Sequence, residues 1–256
     1  MIDAATIVLA ERLADAAGAA VRPYFRQKFD IETKGDLSPV TAADRASEAA
    51  MRAIIEAERP DDGIIGEEYG RVREGARYVW VLDPIDGTRA FVAGRPLFGT
   101  LVALLDEGRP VLGVIDQPII GDRWVGAERR PTLFNGQPAS TRRCAAIAEA
   151  RIGTTSPHAF CAETFAAFDR LRSGVRDTLY GGDCHNYGLL ASGHLDLVVE
   201  AGLQLYDFAA LVPVIEGAGG RMTDWQGRSL GRDSDGRVVA AGDASLIPAV
   251  LEKLGG

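Results

Sequence analysis

Two aspartates close together after an apolar segment form the stretch of this sequence best suited to chemistry. The predicted strand Tyr78–Leu82 leads directly to Asp83, and Pro84 is expected to stop the strand there. Asp86 follows three residues after Asp83, and Gly87-Thr88 opens a predicted helix. Two carboxylates on a rigid turn supply the oxygen ligands that Mg²⁺ favours. The amides of Gly87-Thr88, at a helix start, are suited to phosphate oxygens. The turn therefore predicts magnesium-assisted chemistry on a phosphate.

Asp-Pro and Asp-Gly are also common turn dipeptides, so other acidic residues are needed to distinguish a metal site from an ordinary acidic turn. Glu67 follows the short apolar strand Ile64-Ile65, and Asp207 opens an apolar helix. Asp44 closes the stretch Thr41–Asp44, which fits a capping box. Each has an ordinary interpretation, since Glu67 fits a solvated loop charge and Asp207 fits a helix N-cap. Together they place four or five carboxylates at the ends of elements, where α/β folds place their sites.

Composition limits the class of protein. The chain has 256 residues, of which 46% are hydrophobic and 25% charged, as in a compact soluble protein. Its net charge of −8 argues against a nucleic-acid partner, whereas a metal ion makes an acidic pocket compatible with a small anion. Three cysteines without a CxxC pair favour a reducing compartment. No apolar stretch reaches the ~20 residues that a membrane span requires. Charged residues interrupt the apolar runs near the N-terminus, so a signal peptide is not expected there. We expect a cytoplasmic protein that binds neither nucleic acid nor membrane.

Hydrophobic periodicity predicts two unlike halves. Residues 1–143 are interpreted as an α+β subdomain. Residues 144–256 are interpreted as an α/β subdomain, and the two form one structural unit. Predicted helices cover 4–28, kinked or ended by Pro23, then 42–59, 161–172, 184–192, 207–217 and 244–254. Predicted strands include 64–65, 78–82, 152–155, 196–200, 238–241 and a hairpin of 101–105 and 111–115 with a longer loop.

Three motifs in order resemble the inositol monophosphatase family. They are Gly66–Glu68, Asp83–Thr88 and Tyr206–Ala210, and Glu216–Gly220 matches the family as well. The resemblance runs from Lys34 to about Gly242. It implies a layered αβαβα sandwich, within the α+β and α/β classes, and a phosphate monoester hydrolase with two to three Mg²⁺ ions. The metal ligands that it implies are Glu67, Asp83, Asp86, Asp207 and the backbone carbonyl of Ile85. By the same resemblance most metal ligands lie in residues 1–143, and residues 144–256 complete the metal and substrate site.

The resemblance also implies a mechanism and an assembly. A water activated by the metal attacks phosphorus in line. Thr88 and Asp44 orient this water and accept its proton, so that Asp44, Thr88 and Glu67 are the implied catalytic residues. Metal charge and the amides of Gly87 and Thr88 stabilise the developing charge. Lys34 matches a family lysine near the metals, although a solvated loop lysine is an equal alternative. A homodimer is expected from the family.

Several stretches resemble the histidinol-phosphate phosphatase branch, including Asp86–Phe91, Gly181–Cys184 and Tyr187–Gly193. His185 departs from that branch, where an aromatic such as tyrosine is expected. Asp183 and Glu200 are acidic groups that can pair with a cation on the substrate. An amino alcohol such as histidinol carries that cation and a cyclitol does not, so histidinol phosphate, in histidine biosynthesis, is the expected substrate. The implied substrate-binding residues are Asp86, Gly87, Thr88, Gly181, Gly182, Asp183, Glu200 and Asp207.

Two alternatives stay open at this point. One is an inositol-1-monophosphatase, or a broad-specificity phosphatase that acts on sugar or nucleotide phosphates. The other is a non-catalytic protein that binds metal or phosphate. Such a protein could keep the acidic turn and lose Glu67, Asp44 or Thr88, but this chain has all three.

Overall fold

The computed structural model describes residues 2–27 and 42–255, and the backbone of residues 31–33 and 39–41. Lys34 lies outside the described residues. Within them the helices are α1 Ala4–Val21, α2 Ala42–Glu58, α3 Thr88–Val92, α4 Ala162–Arg172, α5 Asp183–Ala191, α6 Leu205–Phe208, α7 Leu211–Gly217 and α8 Ile247–Gly255. The strands are β1 Ile31–Thr33, β2 Pro39–Thr41, β3 Gly63–Gly66, β4 Gly70–Val72, β5 Tyr78–Asp86, β6 Gly99–Asp106, β7 Arg109–Gln117, β8 Asp122–Ala127, β9 Leu133–Phe134, β10 Gln137–Pro138, β11 Arg151–Thr154, β12 Asp177–Tyr180, β13 Leu197–Glu200, β14 Arg221–Asp224 and β15 Val238–Ala241.

An eight-stranded sheet holds the first half together, in the order β10-β9-β8-β7-β6-β5-β3-β4. Only β3 and β5 pair in parallel, and the other neighbours are antiparallel. The central strands are buried along nearly their whole length, as expected for a sheet covered on both faces. One face packs on α1 and α2 around Leu13, Met51 and Trp80, and the other packs on α5, α6 and α7.

A five-stranded sheet lies in the second half, in the order β12-β11-β13-β15-β14. One face packs on the same α5–α7 layer, and the other packs on α4 and α8 around Phe168, Leu197 and Val250. The layers are therefore α1/α2, large sheet, α5–α7, small sheet and α4/α8, and the expected αβαβα sandwich is confirmed. The two sheets lie on either side of the predicted boundary at 143/144. The division into subdomains stays a prediction, because the middle helices pack on both sheets.

Helix α1 ends at Val21, before a 3₁₀ turn that contains Pro23, which confirms the expectation that Pro23 kinks or ends the helix. Three other local expectations differ from the structure. Strand β5 continues past Pro84 to Asp86 with a shift of register, so the proline bends the strand without stopping it. The predicted helix 207–217 is two helices, α6 and α7. The hairpin loop is only Glu107-Gly108, both with positive φ, because this backbone matches the twist of the strands.

Two expectations from composition concern the cysteines and membrane spans. All three cysteines are free thiols, and Cys144 and Cys184 are buried. Among the described residues, none of the helices combines the length and the apolar character that crossing a membrane requires.

Candidate active site

Three carboxylates converge where β5 ends. Oxygens of Asp83, Asp86 and Asp207 all lie within 4.8 Å of one another. Pairing of β5 with β6 shifts register between Asp83 and Asp86, and this irregularity lets two residues of one strand reach the same point. Asp207 comes from α6, where its Oδ2 accepts a hydrogen bond from the N–H of Gln204 at 2.6 Å. Gln204 is the N-cap and Asp207 the third helical residue, so the N-cap interpretation of Asp207 is wrong.

Burial and the repulsion of neighbouring carboxylates disfavour the charged forms of Asp83 and Asp86. Burial raises the pKa of Asp83 well above its usual range, and the charges of Glu67, Asp86, Asp207 and Asp44 raise it further. Burial also raises the pKa of Asp86, despite a hydrogen bond of 2.5 Å from the N–H of Cys184. Asp83 Oδ1 is buried and has no hydrogen-bond partner among the described residues. A set of carboxylate oxygens crowded at one point fits a hard divalent cation such as Mg²⁺.

Glu67 and Asp44 lie at the edge of this cluster. Their charges act on Asp83, but they do not belong to the group within 4.8 Å. The N–H of Glu67 donates to the carbonyl of Leu82 at 3.3 Å, which places the loop after β3 beside the end of β5. Asp44 is in the first turn of α2 and only 1% exposed, so α2 brings a buried carboxylate to the site.

The turn between β5 and α3 brings together the other predicted residues of the first half. The hydroxyl of Thr88 donates to the carbonyl of Ile85 at 3.0 Å, and this carbonyl keeps a second lone pair. Gly87 is the N-cap of α3, and no side chain caps the helix there. Gly87 has a φ of 86°, and a Cβ at this position would lie 2.8 Å from Cγ of Asp183. Only glycine therefore allows Asp183 to approach the turn so closely.

Asp183 begins α5 after two glycines in left-handed backbone, Gly181 and Gly182. Burial raises the pKa of Asp183 to about 6, and the positive charge of Arg89 opposes the rise. Among the described residues no ion pair joins Asp183 to Arg89. The carboxyl of Asp183 is thus a half-buried acid near a cation that does not neutralise it fully.

Glu200 ends β13 and is only 1% exposed. Its carboxylate accepts hydrogen bonds from the N–H of Thr155 at 2.7 Å and the hydroxyl of Thr154 at 3.2 Å. Burial raises the pKa of Glu200 to about 7 although these hydrogen bonds lower it, and the charge of Asp183 raises it further. Its described hydrogen-bond donors are neutral groups.

A cavity of about 460 Å³ adjoins these acids, and its lining includes Thr155, Gly181, Gly182 and Asp183. Gly181, Gly182 and Asp183 therefore line a cavity beside the Asp86-Gly87 turn, which Asp183 approaches, whereas Glu200 and Asp207 are not among the residues that line it. A larger cavity of about 830 Å³ lies at the other end of β5, around Arg77, and none of the predicted site residues lines it. The smaller cavity is the one that matches the chemistry.

Sequence reasoning missed three cationic or titratable residues that line the smaller cavity, Arg89, Arg95 and His158. Arg89 directly follows Thr88 in the acidic motif, which was the only signal available for it. His185, noted as a departure, is not among the residues that line this cavity. It is 7% exposed, packs edge-on against Trp124 at 5.5 Å, and its Nε2 lies 3.8 Å from Asp122 Oδ2.

Comparisons with known proteins agree with this geometry. The model of the inositol monophosphatase family matches residues 3–254. The chain is 53% identical over 251 residues to the bifunctional phosphatase IMPL2, chloroplastic, of Arabidopsis thaliana, covering 94% of this chain and 72% of that protein. It is 36% identical to the histidinol-phosphatase of Chlorobaculum parvum, covering 94% and 95%. A solved inositol monophosphatase from Zymomonas mobilis matches with a TM-score of 0.92 and 56% identity, covering 100% of both chains.

Proposed function

This chain belongs to the inositol monophosphatase family of Mg²⁺-dependent phosphatases, and we propose that its substrate is L-histidinol phosphate. The reaction is hydrolysis of a phosphate monoester, in which water attacks phosphorus and the alcohol leaves. The observation that carries the choice of substrate is Glu200, a buried carboxyl with no cationic partner among the described residues.

We propose that Asp83, Asp86 and Asp207 hold Mg²⁺, with Glu67 and the carbonyl of Ile85 completing a site for two to three ions. The carboxylate oxygens within 4.8 Å and the raised pKa values of Asp83 and Asp86 support this assignment, because a divalent cation relieves their repulsion. When bound, the ions lower the pKa of water and draw charge from the phosphate oxygens.

The other residues of the turn orient the reactants. The hydroxyl of Thr88 lies beside the carbonyl of Ile85, where it can direct a water towards phosphorus. Asp44 is buried next to the acids and accepts the proton that this water loses. The amides at the start of α3, which no side chain caps, donate to the phosphate oxygens.

The group beyond the phosphate is recognised by charge. The pKa values of Asp183 and Glu200, about 6 and about 7, are raised mainly by burial. A substrate ammonium offsets this penalty because it supplies the countercharge that Glu200 lacks and that Arg89 supplies to Asp183 only in part. Histidinol phosphate carries such an ammonium, and inositol phosphate does not. The printed name of the Chlorobaculum parvum relative, histidinol-phosphatase, supports the same choice.

The test is the isosteric variant Glu200→Gln, assayed with histidinol phosphate and with inositol 1-phosphate. A hydrogen bond to a charged group contributes about 1.5–3 kcal/mol, so kcat/KM for histidinol phosphate should fall about 10- to 150-fold. The loss for inositol 1-phosphate should be much smaller. Thr154→Val is the matched control, because it removes one hydrogen bond to Glu200 and keeps the charge. Equal losses for both substrates in Glu200→Gln would exclude the countercharge role.

Inositol 1-phosphate is the second candidate substrate, and the similarity to the Zymomonas mobilis inositol monophosphatase favours it. We also propose a homodimer, as is common in the family, and a cytoplasmic location, which the three free thiols favour. Light scattering coupled to size exclusion tests the assembly, since a monomeric mass would contradict it.

A further inference from the structure

A buried carboxylate on α2 holds the loop that carries Glu67. Glu48 is 0% exposed and lies one helical turn after Asp44. Its Oε2 accepts a hydrogen bond from the N–H of Glu68 at 2.6 Å, and its Oε1 accepts one from the N–H of Tyr69 at 3.1 Å. Both oxygens of Glu48 are thus bonded to the two residues that directly follow Glu67.

Arg52 completes the attachment from the same helix. Its Nε donates to Oε1 of Glu48 at 2.7 Å, and its Nη2 donates to the carbonyl of Gly70. Side chains of α2 therefore bind two N–H groups of the loop, those of Glu68 and Tyr69, and one carbonyl, that of Gly70. Gly66 lies against the same carboxylate, since a Cβ there would be 1.9 Å from Oε1 of Glu48. The chain approaches Glu48 this closely only because residue 66 has no side chain.

We propose that Glu48 is a positioning residue for Glu67. Glu48 fixes the loop of residues 66–70 on α2 so that the carboxylate of Glu67 lies beside the other acids. Asp44 and Glu48 lie on one helix, so α2 positions the carboxylate of Asp44 directly and that of Glu67 through the loop bound to Glu48. A loop held in place before the metal binds loses less conformational entropy on binding, so the metal binds more tightly. This inference rests on the proposed role of Glu67 as a metal ligand.

The variant Glu48→Gln separates the charge of Glu48 from its shape. An amide has one oxygen, so its NH₂ group must face either Arg52 or one of the loop N–H groups, donor against donor. Residues that orient metal ligands typically contribute 10- to 100-fold to metal affinity. Calorimetric titration of Mg²⁺ alone into the full chain should therefore show a Kd raised about 10- to 100-fold. At saturating Mg²⁺ the kcat of Glu48→Gln should recover, because Glu67 itself is intact.

Asp224→Asn is the matched control, since Asp224 has the same chemistry in the small sheet. It is 3% exposed and accepts hydrogen bonds from the N–H groups of Gln226 and Arg228, both at 2.8 Å, and from Nε of Arg228 at 2.6 Å. We expect Asp224→Asn to lower the melting temperature without changing the Kd for Mg²⁺. An equal weakening of Mg²⁺ binding in both variants would mean general destabilisation and would overturn the inference.

Glu67→Gln distinguishes this inference from the proposed function. If Glu67→Gln keeps the wild-type Kd for Mg²⁺, the metal role of Glu67 fails. If Glu67→Gln weakens Mg²⁺ binding and Glu48→Gln does not, only the positioning role fails. If Glu48→Gln does not fold, Arg52→Ala replaces it, because it keeps the Glu48 carboxylate and removes the contact with Gly70. A Kd raised in Arg52→Ala supports the inference, and an unchanged Kd contradicts it.

Discussion

Neutralising Asp83 should have opposite effects on the stability of the protein without and with Mg²⁺. The change is Asp83→Asn, which keeps the shape of the side chain and removes its charge. At 4.8 Å, the upper limit of the separations, two ionised carboxylates repel by about 3 kcal/mol at an effective dielectric constant of about 20. Asp83 belongs to two such pairs, and its raised pKa favours the protonated form, which lowers the total repulsion. Without metal we expect the variant to be more stable by on the order of 1–3 kcal/mol.

Magnesium should reverse this order. A ligand present at a hundred times its Kd stabilises the folded state by about 2.7 kcal/mol. For a chain of this size that corresponds to a rise in melting temperature of about 5–10 °C. The wild type should show this rise and Asp83→Asn should not, with loss of Mg²⁺-dependent turnover. Because the pKa of Asp83 is raised, the metal-free wild type should also lose stability as pH rises from about 4 through the pKa in the folded state.

Differential scanning calorimetry in EDTA and in Mg²⁺ measures both effects. Asp196→Asn is the control, because Asp196 is 0% exposed but is bonded by Arg142 and by the N–H of Arg151. It should melt lower in both buffers and keep the Mg²⁺-induced rise. A metal-free Asp83→Asn that melts below the wild type would refute the repulsion argument. A variant that kept the full rise with Mg²⁺ would refute the metal assignment.

Two further predictions concern the substrate side. Gly87→Ala and Gly121→Ala should each lower the free energy of unfolding by about 1–2 kcal/mol, because both glycines have left-handed backbone with φ values of 86° and 88°. Only Gly87→Ala should also lose turnover, because its Cβ would contact Asp183, whereas a Cβ at Gly121 has no atom within 4 Å. Similar turnover in the two variants would contradict the close approach of Asp183. As pH falls through about 7, Glu200 gains a proton and loses its charge. The kcat/KM for histidinol phosphate should therefore fall there more than that for inositol 1-phosphate, and Glu200→Gln should lack this difference between the substrates. Identical pH profiles for both substrates in the wild type would contradict it.

The layers and the acidic cluster could be predicted from sequence because local signals agree with the fold at those places. Asp83, Asp86 and Asp207 each lie at or near the end of an apolar element, and their motifs occur in the family order. Tertiary pairing was harder to foresee. Pro84 reads as a strand terminator, yet pairing with β6 carries β5 past it through an irregular register.

Glu48 and Arg52 illustrate why the rest of the site was not found. Their i,i+4 spacing is ordinary for an exposed helix, where such a pair contributes a few tenths of a kcal/mol. Glu48 is nevertheless buried, and a loop about 20 residues away packs on it, a contact that no local pattern predicts. His158 and Arg95, which line the cavity beside Asp183, could not be predicted for the same reason, since the cavity is built from segments distant in sequence.

The most direct test of the proposed function is phosphate release with Mg²⁺ from histidinol phosphate and from inositol 1-phosphate, measured side by side on the full chain. We expect kcat/KM to favour histidinol phosphate by about a hundredfold, or about 2.7 kcal/mol, because only this substrate brings a cation to Asp183 and Glu200. The reverse preference, or equal values, would contradict the assignment of histidinol phosphate and leave the metal site unchanged.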